Sequence, residues 1–303
     1  MTLVGSSVGI SRELTAAPLL TAQAIRYTLA ALVLLALARR AGVRPVRPRG
    51  LEWLYFSGVA ALGLVLFNVA IVRGVAHAEP AVIAVAIACV PVVLGIVGPL
   101  LEHRAPSSRV LAAAVAVTVG SALVEGTGHT DAIGLAWAAV ALVCEAAFTL
   151  LAVPVLARHS AWGVSVHTVW IGALMFAVLG LTTEGPAAAA RLTATDWVAV
   201  VYLALLVTAT AFLLWYSSVA ALGSGTTGLL AGIAPISAAL VGAALGGQLP
   251  GPSVWAGVAV VLCGLGTGLT KRRPSRPQGT SGTTVSTPAR TNLVDREAPD
   301  GTS

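Results

Sequence analysis

Two stretches, EWLYFSGVAALGLVLFNVAIVRG (52–74) and DWVAVVYLALLVTATAFLLWYSS (196–218), lie 144 residues apart and open two copies of one pattern. Each copy starts with an acidic residue and a tryptophan, continues through apolar residues and then contains a second and a third apolar segment. The same shift aligns further pairs of less common residues, namely Pro91 with Pro235, Pro106 with Pro250 and Gly120 with Gly264. The sequence therefore predicts an internal duplication of hydrophobic helices.

The composition indicates a membrane protein. Of the 303 residues, 57% are hydrophobic and 10% are charged, and the mean hydropathy is +0.89. A soluble domain carries about 25% charged residues, and a helix that crosses a bilayer needs about 20 apolar residues. Membrane β-barrels show short alternating segments instead of continuous apolar runs. We expect an all-α integral membrane protein with about ten transmembrane helices in two inverted five-helix repeats.

The predicted organisation comprises a first repeat over residues 1–125, a second over 132–270 and a tail over 271–303. The tail is rich in Pro, Ser, Thr and Gly, so we expect a disordered cytoplasmic segment. Met1–Ile10 is too short to cross hydrocarbon, so the first helix is predicted to be truncated in this sequence. Either the chain starts further upstream or its first helix has only half the usual length. The remaining spans are predicted at 17–38, 53–72, 78–101, 108–124, 133–156, 163–182, 197–221, 226–247 and 253–270.

Basic residues predict the orientation in the membrane. With the N-terminus in the cytoplasm, the inner segments carry twelve Lys and Arg residues and the outer segments carry three. Cytoplasmic loops retain an excess of Lys and Arg, so both termini are predicted to be cytoplasmic and the net charge of +6 reflects topology and lipid contact. Nucleic-acid binding is not expected, since basic residues are not interleaved with aromatics on a soluble surface. Because each repeat holds five helices, the second enters the membrane from the opposite side.

Short motifs in both repeats resemble those of a known family. Ala220 to Gly225, then Pro235 and Gly264, are similar to the second EamA domain of the drug/metabolite transporter superfamily, and Ala24 to Arg26 with Leu101 to Arg104 resemble the first. One departure is Gly247, which stands where the second copy of the family usually keeps a glutamate. The resemblance implies an inverted-repeat transporter, often an exporter of amino acids, metabolites or drugs.

Polar residues inside apolar spans are the candidates for substrate binding or coupling. Glu145 lies near the middle of a predicted helix, where a charge costs about 2.5–3.5 kcal/mol unless it faces a cavity or a partner. It is either a ligand for substrate ammonium, a proton-coupling carboxylate or a structural carboxyl. Arg26 contacts substrate or extends its guanidinium to the outer interface. Asn68 and Phe212 occupy equivalent positions in the two repeats.

Aromatic and proline residues supply the other candidates. Phe212, Trp215 and Tyr216 form one stripe on a helix, which lines a cavity or packs against a neighbour. Pro91 and Pro235 lie inside helices, where they act as packing kinks or as hinges for gating. The histidines, including His159 and His167, are expected to be solvated. Small residues at positions 224, 228 and 232 predict close helix packing.

Two classes of function remain open from the sequence. The first is a secondary transporter that moves a small molecule across the cytoplasmic membrane by alternating access. In this class, a proton is the candidate coupling ion. The alternative is an integral-membrane enzyme or lipid-handling protein, but such enzymes acting on diphosphates need several carboxylates for Mg²⁺ and this chain has one deep acid. No phosphate-binding loop or metal-ligand pattern is present in the sequence, so we expect no enzymatic activity and no cofactor.

Overall fold

The computed structural model describes residues 18–244 and 250–270, and every regular element in these ranges is a helix. Nine helices of the described part are long and apolar enough to span a membrane. The predicted first helix at Met1–Ile10, the position of Gly247 and the tail 271–303 lie outside the described residues. The helices are α1 (Leu19–Arg40), α2 (Glu52–Gly74), α3 (Pro80–Leu101), α4 (Ser108–Glu125), α5 (Ala132–Leu150), α6 (Val153–Thr183), α7 (Ala194–Leu222), α8 (Ser224–Gly228, Leu229–Gly232 and Ile233–Ala244) and α9 (Pro252–Leu269).

The first turns of α2 and α7 show the duplication in their hydrogen bonds. The Glu52 carboxylate accepts from the Arg49 amide at 2.7 Å, and the Asp196 carboxylate accepts from the Thr193 amide at 2.8 Å. The two pairs are related by the shift of 144 residues. An acidic side chain that binds a free amide at a helix N-terminus stabilises that end. The acidic residue before each tryptophan therefore fixes the start of its helix.

A π-helical segment interrupts α2 and α7 at equivalent places. It spans Val59–Leu66 in α2 and Leu203–Thr210 in α7, and the 144-residue shift superimposes both ends of the two segments. Such segments are rare and are often found at functional sites. The described part of the fold is all-α and built of two repeats, and its helical irregularities follow the repeat.

Helices that are equivalent in the two repeats pack against each other. The pairs are α1 with α6, α3 with α8 and α4 with α9. In the last pair the backbones touch, because a Cβ atom added at Gly120 would lie 2.8 Å from the Gly257 carbonyl oxygen. At one end of α1, the Glu184 carboxylate accepts hydrogen bonds from the amides of Leu20 and Thr21. These contacts join the two repeats along a shared central axis.

The connection between the sixth and seventh predicted spans differs from expectation. The sequence predicted spans at 133–156 and 163–182, whereas α5 ends at Leu150 and α6 begins at Val153. Ser160 has a φ of 56°, so α6 bends there and its first turns form a separate helical segment. Proline fits the first turn of a helix, where its missing N–H is not needed, and Pro154 occupies that position. The predicted loop around Arg158 is therefore helical.

Candidate functional site

Glu145 lies in the second half of α5, between the buried residues Cys144 and Ala146. Its side chain is partly buried, and no hydrogen bond or ion pair to its carboxyl group is found within residues 18–244 and 250–270. A carboxyl group inside a bilayer normally pairs with another group or faces a water-filled cavity. Glu145 thus has a free carboxyl group at membrane depth.

Tyr27 on α1 is the residue that Glu145 and Arg26 both influence. The ring of Tyr27 is buried and stacks on Phe176 of α6 with centroids 5.3 Å apart. The Tyr27 hydroxyl lies within electrostatic range of both Glu145 and Arg26, and the Tyr216 hydroxyl lies within range of Glu145. Groups of opposite charge on α1 and α5 therefore both lie near one tyrosine.

Arg26 is the first member of a hydrogen-bond chain that joins three helices. Its Nε donates to Thr208 Oγ1 at 2.8 Å and its NH1 to Gln23 Oε1 at 3.3 Å. Gln23 Nε2 donates to Asn68 Oδ1 at 2.9 Å, and Asn68 Nδ2 donates to the Leu64 carbonyl at 2.7 Å. Thr208 and Leu64 are equivalent positions in the two π-helical segments. The chain of bonds thus connects the two irregular segments across α1.

The guanidinium of Arg26 is directed into the helix bundle. It reaches Thr208 in the middle of α7 and lies 5.2 Å from the centroid of the Tyr27 ring. Extension to the outer interface, one of the two interpretations of the sequence, is therefore not observed. Among the described residues no carboxylate forms an ion pair with Arg26. Its charge is balanced only by neutral hydrogen-bond acceptors and an aromatic face.

The aromatic stripe of α7 packs against α5. Trp215 Nε1 donates to Thr149 Oγ1 at 2.9 Å, and the Tyr216 hydroxyl donates to the Phe148 carbonyl at 3.1 Å. Phe212 lies against Phe148 with centroids 4.8 Å apart. Packing is therefore the role that the geometry supports for this stripe. It fixes the turn of α5 that follows Glu145.

Pro91 and Pro235 meet where α3 and α8 cross. Both line a cavity of about 160 Å³, together with residues of α4. The helices are broken near the prolines, since α3 is interrupted at Cys89 and α8 contains a 3₁₀ turn at Leu229–Gly232. Proline cannot donate to the carbonyl four residues earlier, which accounts for the weak helical bonding there.

Between the prolines and the C-terminal end of α3, the helices α3 and α8 are in close contact. A Cβ atom added at Gly225 would lie 3.2 Å from the Leu94 carbonyl oxygen, and one added at Gly98 would lie 2.1 Å from Ser224 Oγ. The small residues predicted to pack closely do so, with Gly228 against Leu94. The crossing is therefore closed at this end and opens into the cavity at the other.

The structure contradicts the expectation that His159 is solvated and shows His167 partly buried with a backbone partner. His159 is buried and its Nε2 lies 3.0 Å from Glu52 Oε2, while Arg158 also pairs with Glu52. His167 Nε2 lies 2.8 Å from the Val46 carbonyl oxygen. A single histidine near a helix end gives no sequence signal for such a partner, because Glu52 is more than 100 residues away in the chain. These contacts fasten the 41–51 connection to α6.

A metal centre is not indicated by the described residues. Within residues 18–244 and 250–270, no group of three or more His, Cys, Asp or Glu side chains is arranged to hold a metal ion. Cys89, Cys144 and Cys263 are free thiols on three different helices.

Comparison with known proteins places the chain in a family. The model of the EamA-like transporter family matches twice, over residues 2–125 and 132–267. The chain is 27% identical over 252 residues to an uncharacterized transporter, YetK, of Bacillus subtilis, covering 80% of this chain and 76% of that protein. It is 26% identical over 242 residues to a probable terminal-alkyne amino-acid exporter of Streptantibioticus cattleyicolor, covering 79% and 80%.

A solved crystal structure has a similar fold. It gives a TM-score of 0.74 at 19% sequence identity and covers 88% of this chain and 94% of its own. A likeness at this identity supports the fold alone. The family model, which matches most of the chain, goes further. The chain belongs to the EamA-like transporter family and is a multi-pass membrane transporter.

Proposed function

We propose that the protein is a secondary transporter that exports a small amino acid across the cytoplasmic membrane. The observation that carries this proposal is the pair of groups of opposite charge, Arg26 and Glu145, which both lie within electrostatic range of Tyr27. Neither has a counter-charge in the described part of the chain. A zwitterion supplies both, since its carboxylate pairs with the Arg26 guanidinium and its ammonium group pairs with Glu145.

The chemistry of the site agrees with an amino acid as substrate. Arginine binds carboxylates through two parallel N–H donors, and the Arg26 Nε already held by Thr208 leaves the terminal nitrogens to a ligand and Gln23. The stacked rings of Tyr27 and Phe176 are buried beside Arg26. The relative from Streptantibioticus cattleyicolor is named as a probable amino-acid exporter, which supports this substrate class.

The crossing of α3 and α8 supports alternating access as the mechanism. The helices are in close contact from Gly98 and Ser224 as far as Pro91 and Gly228, and the cavity lies beyond this contact. In the orientation that the basic residues predict, with both termini in the cytoplasm, the closed end is cytoplasmic and the cavity is outward. Rocking of one inverted repeat against the other would exchange the closed and open ends.

Glu145 is proposed to couple export to the proton gradient. A carboxyl group that binds either a proton or an ammonium group, but not both, exchanges one for the other. Protons that enter from outside then displace substrate from Glu145 on the outward side. The Glu145→Gln variant keeps the shape of the side chain and removes its charge and its proton exchange.

The experiment is transport by purified protein in lipid vesicles with an imposed pH gradient. Vesicles are loaded with a panel of radiolabelled amino acids, with matching cationic amines, and their efflux is followed between pH 5 and 8. Wild-type protein is expected to accelerate amino-acid efflux when the outside is acidic, and Glu145→Gln is expected to abolish the pH dependence. Glu79→Gln serves as the control, because Glu79 is an exposed carboxylate outside the helices of the site. Efflux by Glu145→Gln equal to wild type at every pH would refute the proposed coupling.

A further inference from the structure

The cavity at the α3–α8 crossing contains polar groups that the Tyr27 site does not use. Ser121 and Glu125 line it, and both lie on α4, one helical turn apart on the same face. The other described lining residues are apolar or small, namely Ala84, Ile87, Ala88, Pro91, Ala231, Gly232, Ala234, Pro235 and Ala238. The cavity is therefore an apolar pocket with one hydroxyl and one carboxyl group on a single wall.

Neither polar group has a partner among the residues that the structure describes. The Ser121 side chain is buried, with a relative exposure of 1%, and its Oγ makes no hydrogen bond. No ion pair or hydrogen bond to the Glu125 carboxyl group is formed within the same ranges. Buried hydroxyl groups are almost always paired in native proteins, so an unpaired one that lines a cavity is available to a ligand.

The prolines add backbone acceptors to the same place. The carbonyls of Ile87 and Ala231 have no amide donor four residues later, because positions 91 and 235 are proline. Each accepts one hydrogen bond from a nearer amide instead, which leaves one lone pair for a ligand. Both residues line the cavity. Gly232 keeps the space in front of the hydroxyl clear, since a Cβ atom there would lie 3.5 Å from Ser121 Oγ. The cavity thus combines a carboxylate, a hydroxyl and main-chain carbonyls with apolar walls.

We propose that this cavity is a second binding site, which takes the ammonium group of a small alkylamine or of an amine-bearing substrate. An ammonium group has three donors, which Glu125, Ser121 and a main-chain carbonyl can accept. Hard metal cations such as Ca²⁺ need six to eight oxygen ligands, far more than the two side chains supply. The alanine and proline walls fit the hydrocarbon part of an organic amine.

The physiological role of this second site rests on the proposed function, because the site would hold an exported amine after the amine leaves Glu145. Its binding chemistry can be tested without transport. The reporter is Ala234→Cys, in a protein whose Cys89, Cys144 and Cys263 are replaced by alanine. The rate of its modification is measured with a cationic and with an anionic methanethiosulfonate reagent, in the absence and presence of propylamine. Ala84→Cys on α3 is the second reporter if the first variant does not fold.

The carboxyl group is expected to attract the cationic reagent, so Glu125→Gln lowers the ratio of cationic to anionic rates about tenfold. Propylamine protects the reporter in a saturable way, and Glu125→Gln removes that protection. Ser121→Ala weakens the protection at least about threefold, by loss of one acceptor. Glu79→Gln, which removes an exposed carboxylate at the same end of the bundle, leaves both measurements unchanged.

Two results would overturn the site: no protection by propylamine in the parent protein, or equal protection in Glu125→Gln. Glu145→Gln separates the two proposals, because it should abolish coupled transport and leave the protection by propylamine intact. Protection that persists in a protein shown to transport no amino acid supports the second site and refutes the proposed function alone.

Discussion

Glu102, just after the end of α3 in the first repeat, accepts two hydrogen bonds from Ser224, which begins α8 in the second. Its Oε1 lies 2.8 Å from the Ser224 amide nitrogen and 2.7 Å from Ser224 Oγ, and Arg104 pairs with Oε2. Burial alone would raise the pKa of Glu102, but the bonds from Ser224 and the charge of Arg104 hold this pKa below its usual range. A charged carboxylate therefore fastens the two repeats together at the closed end of the α3–α8 crossing.

The counterpart of this contact, from the end of α8 in the second repeat to the start of α3 in the first, cannot form. The shift of 144 residues places Glu102 on Gly246 and Ser224 on Pro80. Glycine has no carboxylate, and proline has no N–H to donate. The sequence therefore provides this fastening at one end of the bundle only, which favours the state in which the Glu102 end is closed.

The first prediction is that Glu102→Gln opens the closed end. Loss of charged hydrogen bonds costs about 1.5–3 kcal/mol, which corresponds to about a 10- to 100-fold change in the population of the open state. A cysteine in place of Leu94, which is fully buried at the crossing, should react correspondingly faster with a thiol reagent. Arg104→Gln is the control. It should have a smaller effect because the Arg104 side chain is 64% exposed and exposed ion pairs contribute little.

The second prediction concerns pH. Because the pKa of Glu102 is lower in the folded protein than in the unfolded chain, its contribution to closure is complete above the ordinary glutamate pKa of about 4.3. The contribution is lost as the pH falls through the lowered pKa of the folded state. The rate at which the cysteine at position 94 reacts, divided at each pH by the rate of the same cysteine in Glu102→Gln, should therefore rise as acidification protonates Glu102. The ratio cancels the pH dependence of the thiol itself, and a ratio that stays constant with pH would contradict the assignment.

Two glycines of α3 give a matched pair for the third prediction. A Cβ atom added at Gly98 would lie 2.1 Å from Ser224 Oγ, whereas one added at Gly95 would lie 3.9 Å from Ala114 Cβ. Overpacking of this kind costs about 1–3 kcal/mol, so Gly98→Ala should reduce efflux about tenfold or more. Gly95→Ala should transport within about twofold of wild type, since its Cβ makes an ordinary contact. Equal efflux by the two variants would show that closure at Ser224 is not needed.

The fourth prediction tests the hydrogen-bond chain from Arg26 to Leu64. Thr208→Val removes the acceptor of the Arg26 Nε proton and keeps the shape of the side chain. An unpaired donor at this depth costs about 1–3 kcal/mol, so the melting temperature and the affinity for amino acids should both fall. Thr210→Val is the control in the same π-helical segment, because the Thr210 hydroxyl donates only to the Leu205 carbonyl of its own helix. A Thr208→Val protein with unchanged affinity would remove Thr208 from the site.

The sequence was sufficient to predict the helices and their duplication. Long apolar runs are visible in the sequence itself, and so is the shift of 144 residues from Trp53 to Trp197 and from Pro91 to Pro235. It also singled out Glu145 and Arg26, since charges inside apolar spans are costly. It did not predict the π-helical segments, for which residues such as Val59 and Leu203 have no distinctive preference. It also missed the partner of His159, because side-chain contacts between distant helices depend on how the helices rotate against each other.

The central claim is that a zwitterion bridges Arg26 and Glu145, and its most direct test is ligand binding to purified Arg26→Gln. Binding of an amino acid and of the amine that lacks its carboxylate is measured by titration calorimetry at neutral pH. The proteins are wild type, Arg26→Gln and Glu145→Gln, each carrying Glu125→Gln to remove the second amine site. Wild type should bind the amino acid more tightly than the amine, by about tenfold or more for a charged hydrogen-bonded pair. Arg26→Gln should lose this preference and retain the amine, and Glu145→Gln should bind neither. An Arg26→Gln protein that still prefers the amino acid over the amine would contradict the account.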